Sequence, residues 1–476
     1  MKKLSFCLTI LITCFICLFL CSCSKENSNS SKEYSISKEY DIKLKDDVIN
    51  VFEEFEKNCF NKRYFYASKK STYIDMFRSS NDINIGNLYL IKKDAVIRYF
   101  DENLELHKIN ALDEIPYAPC YFIDDSEMHY WIYSPKEYKS LDNHSLEYLP
   151  EKSCGINVLQ AGEDTFFMPI IDKVEDDNYV DYMVIASEEP LFNWDQEDQK
   201  VENFIKNYNL AGDGHWCYDG YYFRTEDSYE PHGENIYYFC VDSYIIKSFL
   251  AGTRYSGCKL IVPALIDTMI QHQTDEGYIP TYSFSTWLDE EYKIKPGFYD
   301  TRFNTDFWSY VLDAYNEFGG DRFYDALKKY GDFYLNHANQ RQIKTQNGYF
   351  VADYYNPKGG KLTHASLNHN IAEAELCMNL SELFDDNSYQ KVANNIIKAI
   401  EDTADQWIMD DNNLEYAICP DMSFAFEDYP YLTYNDLYDI QKMFQDRGLL
   451  RNQSIDILMN AKRKWMDKQG ITEYKQ

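Results

Sequence analysis

From residue 234 to the C-terminus, apolar positions recur every three or four residues through pairs of segments separated by short turns, and this happens four times. The first members of the pairs are 234–252, 303–319, 363–384 and 429–444, and the second members are 258–273, 321–337, 387–407 and 452–468. Taking Asp242, Tyr310, Ala372 and Tyr438 as midpoints, the repeat returns after 68, 62 and 66 residues. In 363–384, Leu367, Ile371, Ala374, Met378 and Leu383 form one apolar set, and Leu376, Leu380 and Phe384 form a second. A helix apolar on two sides is buried on two sides, whereas 387–407 has one apolar stripe and one charged face. Inner and outer helices alternating in this way predict an α/α toroid of about four hairpins.

The pattern changes upstream. Val48, Val51, Phe52 and Phe55 have helical spacing, so a leading helix is expected within 41–60. From Tyr64 to Leu191 the apolar runs are short and bounded by Asp, Asn, Gly, Pro and Ser, as in 87–91, 95–100, 120–123, 129–134, 165–171 and 182–186. Such runs predict antiparallel strands. A linking helix is expected over 196–216. The fold class is therefore α+β, with a β-rich domain at 41–195, a linker at 196–233 and the toroid at 234–476.

The first 40 residues carry a different signal. Lys2 and Lys3 precede an apolar run from Leu4 to Leu20, the form of an export signal over 1–22. Leu20-Cys21-Ser22-Cys23 matches a bacterial lipobox, which makes Cys23 the expected lipidation site. The polar stretch 23–40 reads as a tether. This predicts a cell-membrane lipoprotein exposed outside the cytoplasm, touching the membrane through its lipid alone.

The net charge of −31 weighs against nucleic acid or another polyanion as partner. Five of the 13 cysteines fall in the leader or lipobox, and the remaining eight contain no C-x-x-C pair, so free structural cysteines and no metal site are expected.

If every inner helix runs in the same direction, the loops that lead into them gather on one rim. Those loops, 219–235, 275–306, 346–368 and 411–436, are rich in Tyr, Asp, Asn and Gly. Asp300, Arg302, Asn304 and Asp306 share one side of an extended segment, and Asp306 falls in the first turn of an inner helix. They serve either as a binding and acid/base group or as a helix cap. His364 and His369 bracket the next inner helix, five apart and so not on one helical face. One of them, with Asn368 beside it, is a candidate for acid/base work; otherwise they are capping or core histidines. Tyr282 and Trp287, and Tyr431, Tyr434 and Asp436, suit sugar stacking and hydrogen bonding as well as loop packing.

The segments EGYIPTYSF (276–284) and FYDTRFNTDFW (298–308), and the Tyr-rich lead into the last hairpin, resemble the D-glucuronyl carbon-5 epimerase family among carbohydrate-active α/α-toroid proteins. The resemblance implies an oligo- or polysaccharide partner, no cofactor, and acid/base groups on opposite faces of a uronate. It also implies a proton-transfer role for Tyr434 or Tyr431, with Arg302 on the substrate carboxylate. Position adds to this: Asp306 stands at an inner-helix start beside Arg302, and His369 and Tyr434 enter the same rim from the next two hairpins, so Asp306, His369 and Tyr434 are the expected catalytic residues. A glycoside hydrolase or unsaturated uronyl hydrolase on the same ring, and a glycan-binding lipoprotein without catalysis, remain open.

Overall fold

The computed structural model describes residues 36–475, apart from short segments at 57–58, 81–86, 102, 104, 153, 172–173, 193, 195–213 and 252–255. The export signal, the lipobox and most of the linking helix expected at 196–216 therefore lie outside the described residues.

Alternating burial builds the first half. Ten strands form the path of a thirteen-stranded sheet: β1 (Ile36–Lys43), β2 (Val48–Glu56), β3 (Cys59–Tyr66), β4 (Tyr73–Ser79), β5 (His129–Leu141), β6 (Ser145–Tyr148), β7 (Asn178–Ser187), β8 (Gly214–Cys217), β9 (Gly220–Arg224) and β10 (Ile236–Phe239). Their spatial order is β1-β2-β3-β4-β7-β5-β6-β10-β9-β8, and the pairings from β2 onward are antiparallel. Strand β7 is buried at every position. Tyr182, Val184 and Ala186 face an apolar layer shared with Tyr89, Ile156 and Phe167 of a three-stranded sheet. Met183 and Ile185 join the large core that runs on into the helices.

Two expectations are corrected here. The leading helix is absent, because 48–56 is strand β2. Ile49 and Val51 point inward two residues apart, and β3 supplies the ladder from Glu56–Cys59 to Ile49–Tyr66. The first inner helix is cut short because Ile236–Phe239, aromatic and β-branched, pairs with β6 and β9, leaving only Ile245–Ala251 helical. Strands β8 and β9 also fall within or beside the stretch read as a linker, and Ser37–Gln476 forms one compact unit.

The helices are α1 (Ile245–Ala251), α2 (Ser256–Ile270), α3 (Thr286–Tyr292), α4 (Thr301–Phe318), α5 (Asp321–Gln340), α6 (Leu367–Phe384), α7 (Asn387–Thr403), α8 (Leu432–Asp446) and α9 (Gln453–Gln469). Helices α1, α4, α6 and α8 touch in succession, as do α5, α7 and α9 behind them, so the hairpins stack as an inner and an outer row. Helix α6 is buried on nearly every side, as its two apolar sets require, while α7 buries a single stripe.

Helix α2 lies on the sheet, where Leu260, Ile261, Val262, Leu265, Ile266 and Met269 are fully buried. Its buried Asp267 accepts hydrogen bonds from Tyr40 (2.7 Å) and Tyr64 (3.0 Å) and pairs with Arg322 of α5. One carboxylate thus ties strands, α2 and the outer row together. Gly277, at φ +123°, lets the turn before α3 lie against α5, because a Cβ there would stand 2.3 Å from the Lys329 carbonyl.

Two- to four-residue ladders join the loops of the rim. Tyr229–Glu230 pairs with Phe284–Ser285, Tyr299–Asp300 with Tyr354–Tyr355, and Ala365–Ser366 with the hairpin of Glu415–Ile418 and Phe424–Glu427.

Candidate functional site

Helix α4 starts at Asp300, whose side chain accepts the Phe303 N–H at 3.1 Å as an N-cap. Helix α6 starts at Ser366, whose N–H donates to both oxygens of Asp353 at 3.0 Å and whose hydroxyl donates to the same carboxylate. The Asp353 carbonyl accepts the Thr301 hydroxyl (2.7 Å) and N–H (3.0 Å). Asp353 therefore fixes the starts of α4 and α6 against each other.

Two histidines converge on that carboxylate. His364 Nε2 and His369 Nδ1 each stand 3.3 Å from Asp353 Oδ2, and all three residues are buried. Tyr292 OH meets His364 Nδ1 at 3.0 Å, and Tyr416 OH meets His369 Nε2 at 3.3 Å. Burial alone would raise the Asp353 carboxyl, but His369 and His364 hold it well below the carboxylate range. Burial lowers His369, and this is overcome chiefly by Asp353 and then by Asp300, so its proton is held above the usual histidine value. Asp300 is pushed up by burial to about 6, against the pull of His369. A buried histidine that holds its proton more tightly than usual and a buried carboxyl raised to about 6 thus act on each other.

Aromatic rings wall this pair. Tyr354 lies 5.7 Å from His364 and 6.4 Å from His369 between ring centres. Trp287 is 5.5 Å from His364, and Tyr416 is 6.2 Å from His369 and 5.5 Å from Tyr429. Phe426, Tyr429 and Tyr431 are 45%, 50% and 40% exposed, an apolar ledge beside buried chemistry. Lys462 of α9, fully buried, holds that ledge from below through Asp428 (2.7 Å) and the Tyr429 carbonyl (2.6 Å).

A second group lies on the inner-row faces. Arg302 donates to Asp306 at 2.8 Å and to Asp436 at 2.6 Å, so its guanidinium is spent on two carboxylates from α4 and α8. Asp242, just before α1, is pushed up to about 6 by burial and by Asp306. Asp436 is raised to about 6 by burial, against the pull of Arg302. Glu375 of α6 is raised to about 7 by burial, Asp439 and Asp436. Carboxylates outnumber cations here.

The expected site residues therefore separate. Asp300, His364, His369 and Trp287 come together at the rim, and Arg302, Asp306 and Asp436 form the adjoining charged group. Asn304 is fully buried and spends its amide on the Ile279 backbone, 2.9 Å on each side. Tyr434 is buried in the core, its ring 5.1 Å from Tyr474, and does not join His369. Tyr282 stacks on His144 at 3.9 Å, on the sheet side. Tyr431 stands exposed on the ledge. Asn368 is 1% exposed, and neither polar atom of its amide has a hydrogen-bond partner among the described residues.

Sequence reasoning did not single out Asp353, Tyr354, Tyr416, Asp242 or Glu375. The first three lie in rim loops it did mark. Among the described residues, one His/Asp/Glu group has ligand atoms close enough to share a cation, Asp101, Glu105 and His107. It belongs to a hairpin of the sheet, and Asp101 is already engaged by the N–H groups of Asn103 and Glu105.

No family model and no curated protein matches the chain. Carbohydrate-active enzymes are among the solved structures that resemble it. A cellobiose 2-epimerase from Spirochaeta thermophila shares 13% identity over 57% of this chain with a TM-score of 0.36, and the match spans 65% of that enzyme's length. A family 76 glycoside hydrolase from a bovine Bacteroides thetaiotaomicron strain shares 12% identity over 84% of this chain and 76% of its own, TM-score 0.39. An unsaturated glucuronyl hydrolase specific for heparin shares 9% identity over 58% and 68%, TM-score 0.37. Among the described residues no helix is long and apolar enough to cross a membrane.

Proposed function

We propose that the chain is a carbohydrate-active enzyme that moves protons at the rim where α4, α6 and α8 begin, in a ring of helical hairpins. The observation that carries this reading is the Asp353–His369 pair beside Asp300, enclosed by Trp287, Tyr354 and Tyr416. A carboxyl raised to about 6 and a histidine that holds its proton more tightly than usual are suited to taking a proton on one side and returning one on the other. Asp300, ionised, takes a proton from a sugar carbon activated by a neighbouring carbonyl. His369, cationic, returns one to the other face. Asp353 is a positioning residue that keeps the imidazole charged and oriented. The aromatic walls present ring faces to a sugar and exclude water from the transfer.

This is epimerisation, and it is preferred over hydrolysis because the central pair is a histidine and a carboxylate rather than two carboxylates. A uronate substrate finds less support, since Arg302 is committed to Asp306 and Asp436. We further propose that Cys23 carries a lipid and holds the protein at the outer surface of the cell membrane.

The test is incubation with neutral, amino and uronate oligosaccharides in deuterated water. Deuterium entering a ring carbon without chain cleavage supports the reading, and its loss in His369→Gln assigns the proton. New reducing ends would replace epimerisation with hydrolysis. No change in any saccharide would leave a glycan-binding lipoprotein.

A further inference from the structure

The hairpin of Glu415–Ile418 and Phe424–Glu427 holds one residue in a conformation its type avoids. Its register pairs Ala417 with Ala425 and Glu415 with Glu427. Phe426, between those pairs, has φ +69°. That left-handed region is an outlier for a bulky side chain and persists only where the surroundings over-determine it. Here they do. The Asp428 N–H donates to the Leu414 carbonyl at 3.2 Å, and the Asp428 carboxylate pairs with Lys462 at 2.7 Å. The Lys462 ammonium also donates to Asn413 Oδ1 and to the Tyr429 carbonyl, each at 2.6 Å. The Asn413 amide in turn donates to Glu427 at 3.1 Å. The open end of the hairpin is thus clamped from α9, one residue beyond Phe426.

Burial does not offset the strain, because Phe426 stays 45% exposed. Its ring centre lies 5.9 Å from His364 and 6.3 Å from Trp287, inclined to them by 69° and 84°. His364 is fully buried and shares Asp353 with His369, so Phe426 is the accessible ring next outward from the proton-transfer group. On the His369 side, Tyr416 meets that histidine and Tyr429, 50% exposed, is the next ring out, 5.5 Å from Tyr416. Exposed rings continuous with a buried site suit stacking on a further sugar unit.

Resting on the reading above, we infer that Phe426 and Tyr429 form a second sugar subsite, which takes the unit linked to the one held at Asp300 and His369. The substrate is therefore an oligosaccharide. A free monosaccharide fills the inner position alone and binds weakly.

Calorimetry and thermal unfolding of the full-length protein in detergent test this. The probes are glucose, mannose, N-acetylglucosamine and galacturonate, each compared with its 1,4-linked tetramer. At least one tetramer is expected to bind about tenfold more tightly than its monosaccharide, as stacking at a second position allows. In Phe426→Gly that ratio falls about threefold or more, with monosaccharide affinity unchanged, and Phe426→Tyr restores it. The unfolding temperature of Phe426→Gly stays at or above the wild-type value, because glycine takes a positive φ without strain. Equal binding of tetramer and monosaccharide by the wild type overturns the inference and leaves the carbohydrate reading standing. An unchanged ratio in Phe426→Gly does the same, as does an equal loss of both affinities, which marks a packing role. Binding of none of the eight overturns both.

Discussion

The sheet and the inner helical row bury charge in opposite ways. On the sheet, Arg63 makes a bidentate pair with Asp75 at 2.5 and 2.6 Å. Arg78 does the same with Asp181 at 2.7 and 2.6 Å and reaches Asp219 at 2.8 Å. Cations and carboxylates there nearly match, which is how a protein interior tolerates charge. At the inner row Arg302 likewise serves two acids, but Asp242 and Glu375 stand beside that group with no ion pair among the described residues. The first arrangement holds strands in register. The second stores repulsion, which a structure maintains only where packing forces it, and functional sites are where such forcing recurs. The contrast separates the scaffold from the site without reference to any other protein.

Removing the charge that orders the site should have the largest effect. Asp353→Asn is expected to slow proton transfer by about 10²–10⁴-fold, the range of one acid/base contribution, with little change in KM. A solvent-deuterium exchange assay measures it, and a turnover within twofold of wild type would remove Asp353 from the mechanism.

The two regions should also answer neutralisation with opposite signs. Asp181→Ala removes the bidentate partner of Arg78 and leaves it Asp219 alone, which should cost about 1.5–3 kcal/mol in denaturant unfolding. Glu375→Gln relieves the surplus and should raise the unfolding midpoint at pH 8. If both variants destabilise, the contrast fails.

The pH profile sharpens the comparison. Asp242, Asp300 and Asp436 at about 6, and Glu375 at about 7, bind protons more tightly folded than unfolded. Their contribution is complete below about pH 4, near the unfolded carboxylate value, and is lost as pH rises through 6 to 7. His369, also raised, has the same sign. Asp353, held low, acts oppositely and loses its contribution only in strong acid. Thermal stability should therefore peak on the acid side of neutrality and fall toward pH 8, and a flat profile from 5 to 8 would contradict the assignment. The smallest effect is at the aromatic wall, where Trp287→Ala should cost saccharide binding about 0.5–1.5 kcal/mol.

The helices from α4 to α9 were legible because a stripe of apolar residues at helical spacing has one meaning once it persists for four or five turns. Short segments lack that redundancy. The apolar residues in 48–56 fit a helix as well as a strand, and the deciding fact, the partner β3, is a tertiary one. The rim loops were marked by composition, and they do contain Asp353, Tyr354 and Tyr416. Nothing local separates Asp353 from other loop aspartates, because its character comes from histidines 11 and 16 residues further on. Tyr434 and Tyr429 are equally plausible on paper, yet one turns into the core and the other out to solvent. That choice depends on where α8 rests against α9 and the C-terminal tail.

The ladders that join the rim loops carry a consequence for anyone who alters them. Each loop shares backbone hydrogen bonds with a loop from another hairpin, so a change of length in one displaces the register of its partner. Loops of this rim are not separable cassettes. Exchanging the 276–300 segment alone would drag Tyr354–Tyr355 and Tyr229–Glu230 with it. Variation in what the rim recognises should therefore come from substitutions at fixed loop length, or from insertions acquired in pairs.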